Sequence, residues 1–242
     1  MTYINGALAP VPTDARDEYL AHVEQLWQLF RKHGALRMVD CWGVDLPKGK
    51  QTDFDGAVDA AENETVTFSW IEWPDRATAD ACWQNLPDDP EMQNLSKMPF
   101  DGGRMVSGGF EPILTSGTGT PSDYVQGFVA AVPADKREDY LAMAQEGWQM
   151  FHRLGAVGSV ECWGQDVPHG KRTDFYRATH AKEGEVIVFS WVQWPDRATC
   201  DAAFQTMHEE AQGKPMPEMP FDGMRMFWGG FQTVFDSATH GA

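Results

Sequence analysis

The chain contains one stretch of about 112 residues twice, and the two copies align without a gap. Tyr3 aligns with Tyr124, and the same offset then holds as far as Leu114 and Phe235. Roughly 50 of the paired positions are identical, far above chance, which indicates duplication and fusion of an ancestral gene. The chain must therefore build one structural unit twice.

The repeat defines the domain boundaries. We assign residues 1–114 to the first repeat, 115–122 to a linker and 123–236 to the second repeat. The linker reads TSGTGTPS, and this Gly, Ser, Thr and Pro content is typical of a flexible surface connection.

Each repeat reads as strand, helix, strand, strand, helix, strand. In the first repeat, Asp14 opens a helix whose buried face is predicted by the helical spacing of four apolar residues. These residues are Leu20, Val23, Trp27 and Phe30. Asp75 caps a second helix, and a turn at Asp101–Gly102 precedes the fourth strand. The βαββαβ order predicts an α+β, ferredoxin-like unit.

The third strand is apolar on both faces, since Phe68 and Trp70 alternate with Ile71 and Trp73. One unit covers one face of its sheet with helices, so the other face needs a partner. The second repeat is that partner. We therefore predict two ferredoxin-like repeats packed as a pseudo-two-fold dimeric α/β barrel, as an intramolecular pseudo-dimer.

Composition excludes several classes of partner. The formal net charge of -17 and the pI near 4.6 disfavour binding to nucleic acid and to anionic membranes. The N-terminal sequence has no secretion signal and no apolar run is long enough to span a bilayer, which predicts a cytoplasmic protein. No CxxC pair occurs, and no histidine recurs at equivalent positions, so we predict free thiols, no metal site and no cofactor.

Four stretches of the second repeat, with their counterparts in the first, resemble the bacterial family called domain of unknown function 1428. They are DYVQGFVAAVP, ECWGQDVPHGKRTDF, VIVFSWVQWPDRAT and MPFDGMRMFWGGF. The resemblance covers nearly all of both repeats, with Asp40 at a position that is usually glutamate. It implies a ferredoxin-like fold and a dimeric barrel, and it implies no particular reaction.

Asp40 and Glu161 are the candidate catalytic residues, because each lies on a strand in phase with a tryptophan. An apolar wall raises the pKa of a carboxyl group and can make it a general base. The alternative is an exposed or salt-bridged strand carboxylate. Strand alternation places Cys41 and Cys162 on the opposite face, which excludes an acid–cysteine dyad from adjacent residues.

Other repeated residues are candidates for ligand binding. Ten tryptophans in a small barrel favour a concave aromatic wall, and lysines after the second strand could hold an anion, although a plain turn is the simpler interpretation. The candidates are Trp42, Trp163, Trp70, Trp191, Lys50 and Lys171.

The leading hypothesis is a small-molecule binder or cofactor-independent enzyme with an aromatic pocket in each repeat. The alternative is a non-catalytic scaffold that presents an acidic surface to another protein. A cavity lined by aromatic rings favours the first, and a filled interior with an exposed apolar patch favours the second. Whether the protein is an enzyme stays open at the level of sequence.

Overall fold

The computed structural model describes residues 2–117, 121–213 and 218–239. Both repeats have the predicted order of elements, with one additional short helix between the second and third strands. The strands are β1 Tyr3–Pro12, β2 Arg37–Asp45, β3 Glu64–Trp73, β4 Val106–Gly117, β5 Tyr124–Pro133, β6 Gly158–Asp166, β7 Glu185–Trp194 and β8 Phe227–Asp236. The helices are α1 Arg16–Lys32, α2 Phe54–Ala57, α3 Arg76–Asn85, α4 Arg137–Arg153, α5 Phe175–Ala178 and α6 Arg197–Ala211.

The eight strands form one closed antiparallel barrel in the order β1-β3-β2-β8-β5-β7-β6-β4. Each repeat supplies four adjacent strands in the ferredoxin-like arrangement. The repeats join edge to edge, through β2 with β8 and through β4 with β6. Closure pairs every sheet edge and encloses the inner faces of both sheets, which confirms the predicted fused dimeric barrel.

Aromatic rings from both repeats fill the interior of the barrel. Phe68 stacks on Phe189 with ring centroids 4.3 Å apart, and Trp70 stacks on Trp191 at the same distance. In each pair the partners occupy equivalent positions of the two repeats. These contacts therefore mark the pseudo-two-fold axis, as expected for a self-complementary interface.

The outer faces of the sheets pack against the long helices. Ile71 and Trp73 contact α1 and α3, while Phe68 and Trp70 face the interior, so the two-faced character of the third strand is confirmed. The predicted helix face needs one correction, because Leu20 is partly exposed and the adjacent Tyr19 is buried. Leu20 and Tyr19 are adjacent, so a small rotation of the helix about its axis decides which of them faces the core. Both side chains are apolar enough to fit the predicted pattern.

The Thr-Asp-Phe sequence that ends the repeated loop has a structural role in the first repeat. The Asp53 side chain accepts a hydrogen bond from the Gly56 amide and caps α2. The Thr52 hydroxyl donates to the Ala178 carbonyl of the other repeat, and Phe54 packs in the barrel interior. The motif thus closes one end of the barrel.

A glycine in β4 and a glycine in β8 each allow the strand backbone to lie close to the hydroxyl of a tyrosine side chain. A Cβ atom on Gly109 would lie 1.7 Å from the Tyr3 hydroxyl oxygen, and a Cβ on Gly230 would lie 1.7 Å from that of Tyr124. No side chain fits at either position. Glycine at these two strand positions therefore marks a close approach of a neighbouring side chain to the backbone.

The linker prediction is partly wrong. Strand β4 continues to Gly117, and its last residues pair with β6 from Val160 to Gly158. The small residues of this stretch suit an extended strand because a neighbouring edge is available to pair with. Residues 118–120 of the predicted linker lie outside the described residues. No described helix has the length and apolar character needed to cross a membrane.

Candidate functional site

A buried tyrosine–carboxyl pair lies between α1 and β2 in the first repeat. Asp40 is 1 % exposed, and the Tyr19 hydroxyl donates to its Oδ1 at 2.5 Å. The second oxygen, Oδ2, is buried and has no hydrogen-bond partner among the described residues. Burial raises the pKa of Asp40 to about 6, although the Tyr19 hydrogen bond opposes the rise.

The second repeat has the equivalent pair between α4 and β6. The Tyr140 hydroxyl donates to Oε2 of Glu161 at 2.5 Å. Burial of this carboxyl group raises the pKa of Glu161 to about 7, and the hydrogen bonds from Tyr140 and Ser190 oppose the rise. Glu161 keeps some exposure to solvent, which Asp40 does not. Such a group can hold or release a proton near neutral pH.

The candidate tryptophans lie on two different faces of the sheet. Trp42 shares the helix-facing core with Tyr19, and the Arg16 guanidinium lies 5.8 Å from the centre of its ring. Trp163 has the same relation to Arg137. Trp70 and Trp191 are in the barrel interior, so they are not on the same side of the sheet as the two acids.

The motif cysteines also face the interior, as predicted. Cys41 and Cys162 are fully buried, and burial raises the pKa of both thiols well above the usual range. They are therefore poor nucleophiles. Within the described part of the chain, no group of three His, Cys, Asp or Glu side chains is placed to hold a metal ion.

Lys50 lines an open cleft of about 370 Å³ between the loops that precede α2 and α5. Arg172, Arg177 and His180 of the second repeat line the same cleft. Arg172 is already paired with Asp59, and Arg177 with Asp174. Among the described residues that line this cleft, neither Lys171 nor either candidate acid is present.

A more aromatic cavity of about 340 Å³ lies on the outer face of the second repeat. Strands β5 and β8 form its floor, α6 forms one wall, and residues 44–47 of the first repeat close it on another side. The rings of Phe204 and Trp228 lie nearly parallel, 8° apart, with centroids 6.0 Å from each other. Trp228 is 40 % exposed, so the cavity is open to solvent on its side.

A few polar groups converge on this aromatic cavity. Gln126 is 2 % exposed, and its Oε1 atom has no hydrogen-bond partner in the described parts of the chain. The Tyr124 hydroxyl donates to Asp45 only at the long distance of 3.5 Å. Burial and the nearby Asp45 carboxylate raise the pKa of Tyr124, which keeps this hydroxyl protonated. An apolar cavity with few polar groups is typical of small-molecule sites.

None of the eight candidate site residues predicted from the sequence lines the aromatic cavity, so those residues did not indicate its position. Its walls include Phe204 and Trp228, and these positions hold Trp83 and Ser107 in the first repeat. The signal that could have located it was therefore the pair of tryptophans, Trp83 and Trp228, that do not recur between the repeats. Most of the recurring tryptophans belong to the packing of the barrel.

A family-wide sequence model matches both repeats. It is described as "Protein of unknown function (DUF1428)" and matches residues 2–102 and 123–223. The chain belongs to this family. It carries two tandem DUF1428 copies, as the resemblance of the repeated stretches implied.

Relatives of the DUF1428 chain include single-copy proteins. The uncharacterized protein YbaA of Escherichia coli K12 is 49% identical over 114 residues, which cover 47% of this chain and 97% of YbaA. YbaA of Shigella flexneri gives the same values. A relative of this length corresponds to one of the two repeats.

Among solved structures, an anthrone oxidase-like protein has a similar fold. The superposition has a TM-score of 0.52 at 12% identity and covers 97% of this chain and 92% of the other. At that identity the similarity supports the barrel fold alone.

Proposed function

We propose that this DUF1428 protein binds a small, largely apolar molecule in the aromatic cavity of its second repeat. The observation that carries the proposal is the cavity itself, with two aromatic rings on its wall and a buried amide at its floor. Its volume falls in the range of about 300–1,000 Å³ that is usual for ligand pockets.

The location of the cavity between the two repeats supports a specific binding site. Residues 44–47 of the first repeat pack over β5, β8 and α6 of the second, so the cavity exists only when both repeats are assembled. Clefts between packed units are common positions for ligand sites. The barrel interior, by contrast, is occupied by stacked aromatic rings.

The catalytic role of Asp40 and Glu161 stays a prediction. Their carboxyl groups have pKa values of about 6 and about 7, which suits proton transfer. However, neither acid is among the described residues that line the aromatic cavity. The proposal is therefore one of binding, and the ligand-binding roles of Lys50, Lys171 and the four candidate tryptophans stay predictions as well.

A panel of small apolar and aromatic molecules tests the proposal through thermal unfolding of the full chain. A ligand at a hundred times its dissociation constant should add about 2.7 kcal/mol to the free energy of unfolding. Phe204→Trp places the larger ring of the first repeat in the cavity and should abolish the stabilisation by ligand.

Leu36→Val is a matched control, because it exchanges an exposed residue of the first repeat for the residue at the same position of the second. Its response to ligand should equal that of the unmodified chain. If no molecule of a broad panel stabilises the protein, the acidic scaffold becomes the better explanation. If Phe204→Trp keeps every response, the ligand binds outside the aromatic cavity and the proposal is wrong.

A further inference from the structure

A strand amide at equivalent positions of the two repeats has its oxygen paired in the first repeat and unpaired in the second. Asn5 on β1 and Gln126 on β5 occupy equivalent positions. In the first repeat, the Trp83 indole donates its Nε1–H to Oδ1 of Asn5 at 3.0 Å. In the second repeat the residue equivalent to Trp83 is Phe204, whose ring has no polar hydrogen to donate. The first repeat therefore contains an internal aromatic donor that the second repeat lacks.

Gln126 lacks the hydrogen-bond donor that Asn5 has. Its Oε1 is shielded from water and, within residues 2–117, 121–213 and 218–239, finds no donor. Buried acceptors are almost always paired, and an unpaired one lowers stability. Gln126 also lines the aromatic cavity, as does Phe204, whose ring replaces the indole. A donor that enters this cavity supplies what the sequence of the second repeat leaves out.

We infer that the ligand of the aromatic cavity is a planar aromatic molecule that donates an N–H to Gln126, with indole as its simplest form. The ligand takes the role that the Trp83 side chain has in the first repeat. The inference rests on the proposed binding function and adds the chemical class of the ligand.

The rest of the cavity suits a flat, uncharged ring. Phe204 and Trp228 present nearly parallel aromatic faces, and Trp228 stands where the first repeat has Ser107. Aromatic rings pack favourably in edge-to-face or offset geometry against such a wall. The second repeat thus lacks the internal indole and has an aromatic wall beside its position.

The charges of the cavity disfavour an anion. Asp45 and Asp201 both line it, and both contact the single guanidinium of Arg197. One positive charge therefore faces two carboxylates, in a chain whose formal net charge is -17. A neutral N–H donor binds here without the repulsion that a carboxylate ligand would meet.

Isothermal titration calorimetry of the full chain with indole and with 1-methylindole tests the ligand class. The two molecules share the ring system, but 1-methylindole has no N–H. We expect one indole per chain and an affinity for 1-methylindole that is lower by about tenfold or more, since one hydrogen bond to a buried group distinguishes them.

Substitutions at the equivalent positions Gln126 and Asn5 distinguish the hydrogen bond to the ligand from packing of its ring. Gln126→Met keeps the length of the side chain and removes the amide, so indole should bind no more tightly than 1-methylindole. Asn5→Met makes the same change in the first repeat, where the donor is Trp83, and should leave the affinity for indole unchanged.

The outcomes distinguish this inference from the function on which it rests. Equal binding of indole and 1-methylindole, both abolished by Phe204→Trp, would overturn the ligand class and leave the binding function standing. Binding of other panel molecules without indole would do the same. Failure of indole and of the whole panel would overturn both.

Discussion

Asp40 shows how burial changes the chemistry of a single carboxyl group. The residue is enclosed by the helix-facing core and receives its hydrogen bond from Tyr19. Raising its pKa from 3.8 to about 6 costs the ionised form about 3 kcal/mol in the folded state. The folded protein therefore retains a proton that the unfolded chain releases, so this residue lowers stability as pH rises from about 4 to about 6.

Asp40→Asn removes that titration while keeping an oxygen that accepts from Tyr19. The free energy of unfolding of the variant, relative to the unmodified protein, should increase by about 2.5 kcal/mol between pH 4 and pH 8. Urea unfolding at several pH values measures this difference.

Tyr19→Phe provides the opposite test at the same site. It removes the donor that favours the ionised carboxyl, so the pKa of Asp40 should rise further and the pH dependence should move above pH 6. The raised pKa would be contradicted if the difference in unfolding free energy between Asp40→Asn and the unmodified protein did not change with pH.

At the scale of elements, one arginine in each repeat joins the last strand to the third. Arg225 is buried and Arg104 is partly buried. Arg225 precedes β8 and forms two hydrogen bonds of 2.6 Å with Glu185 at the start of β7. It also donates to Asp222 and to the His180 carbonyl. Arg104 repeats the contacts with Glu64 and Asp101. The glutamate lies 40 residues away in sequence, so no local pattern indicated this contact.

Arg225→Met should destabilise the protein by about 3–5 kcal/mol, because it leaves the carboxylate of Glu185 buried without its partner. The double variant Arg225→Met with Glu185→Met removes both charges and should recover at least half of that loss. Thermal and urea unfolding measure both. A cost below about 1 kcal/mol for the single variant would show that water replaces the guanidinium.

At the scale of the whole molecule, the barrel is one folding unit despite its two repeats. The interior core contains residues of both repeats, and the β2–β8 and β4–β6 ladders cross between them. A separate repeat would expose two strand edges and the aromatic inner face of its sheet.

Cleavage of the chain between Gly117 and Pro121, at an inserted protease site, should therefore leave the fragments associated. We expect them to co-elute with the mass of the intact chain in size-exclusion chromatography with light scattering, and to unfold in one transition. Each fragment alone should self-associate. Stable monomeric fragments would contradict the shared core.

The sequence predicts the barrel well because the evidence for it is periodic and repeated. Alternation in the third strand, helical spacing in α1 and the gapless repeat are properties of short windows or of a simple alignment. The aromatic cavity has no such signature. It joins residues 44–47 to Phe204 and Trp228 of the other repeat, which are distant from them in sequence. The partner of Asp40 was likewise hidden, since the pattern favoured Leu20 over Tyr19.

The joining of both repeats in one polypeptide also changes what mutation can do to this barrel. In a homodimer each substitution appears in both subunits, so a residue that fills one pocket fills its symmetry mate as well. Here a tryptophan at position 83 and a phenylalanine at position 204 coexist in the same barrel. One repeat can therefore keep residues that stabilise the barrel, while the other repeat accumulates substitutions that favour ligand binding.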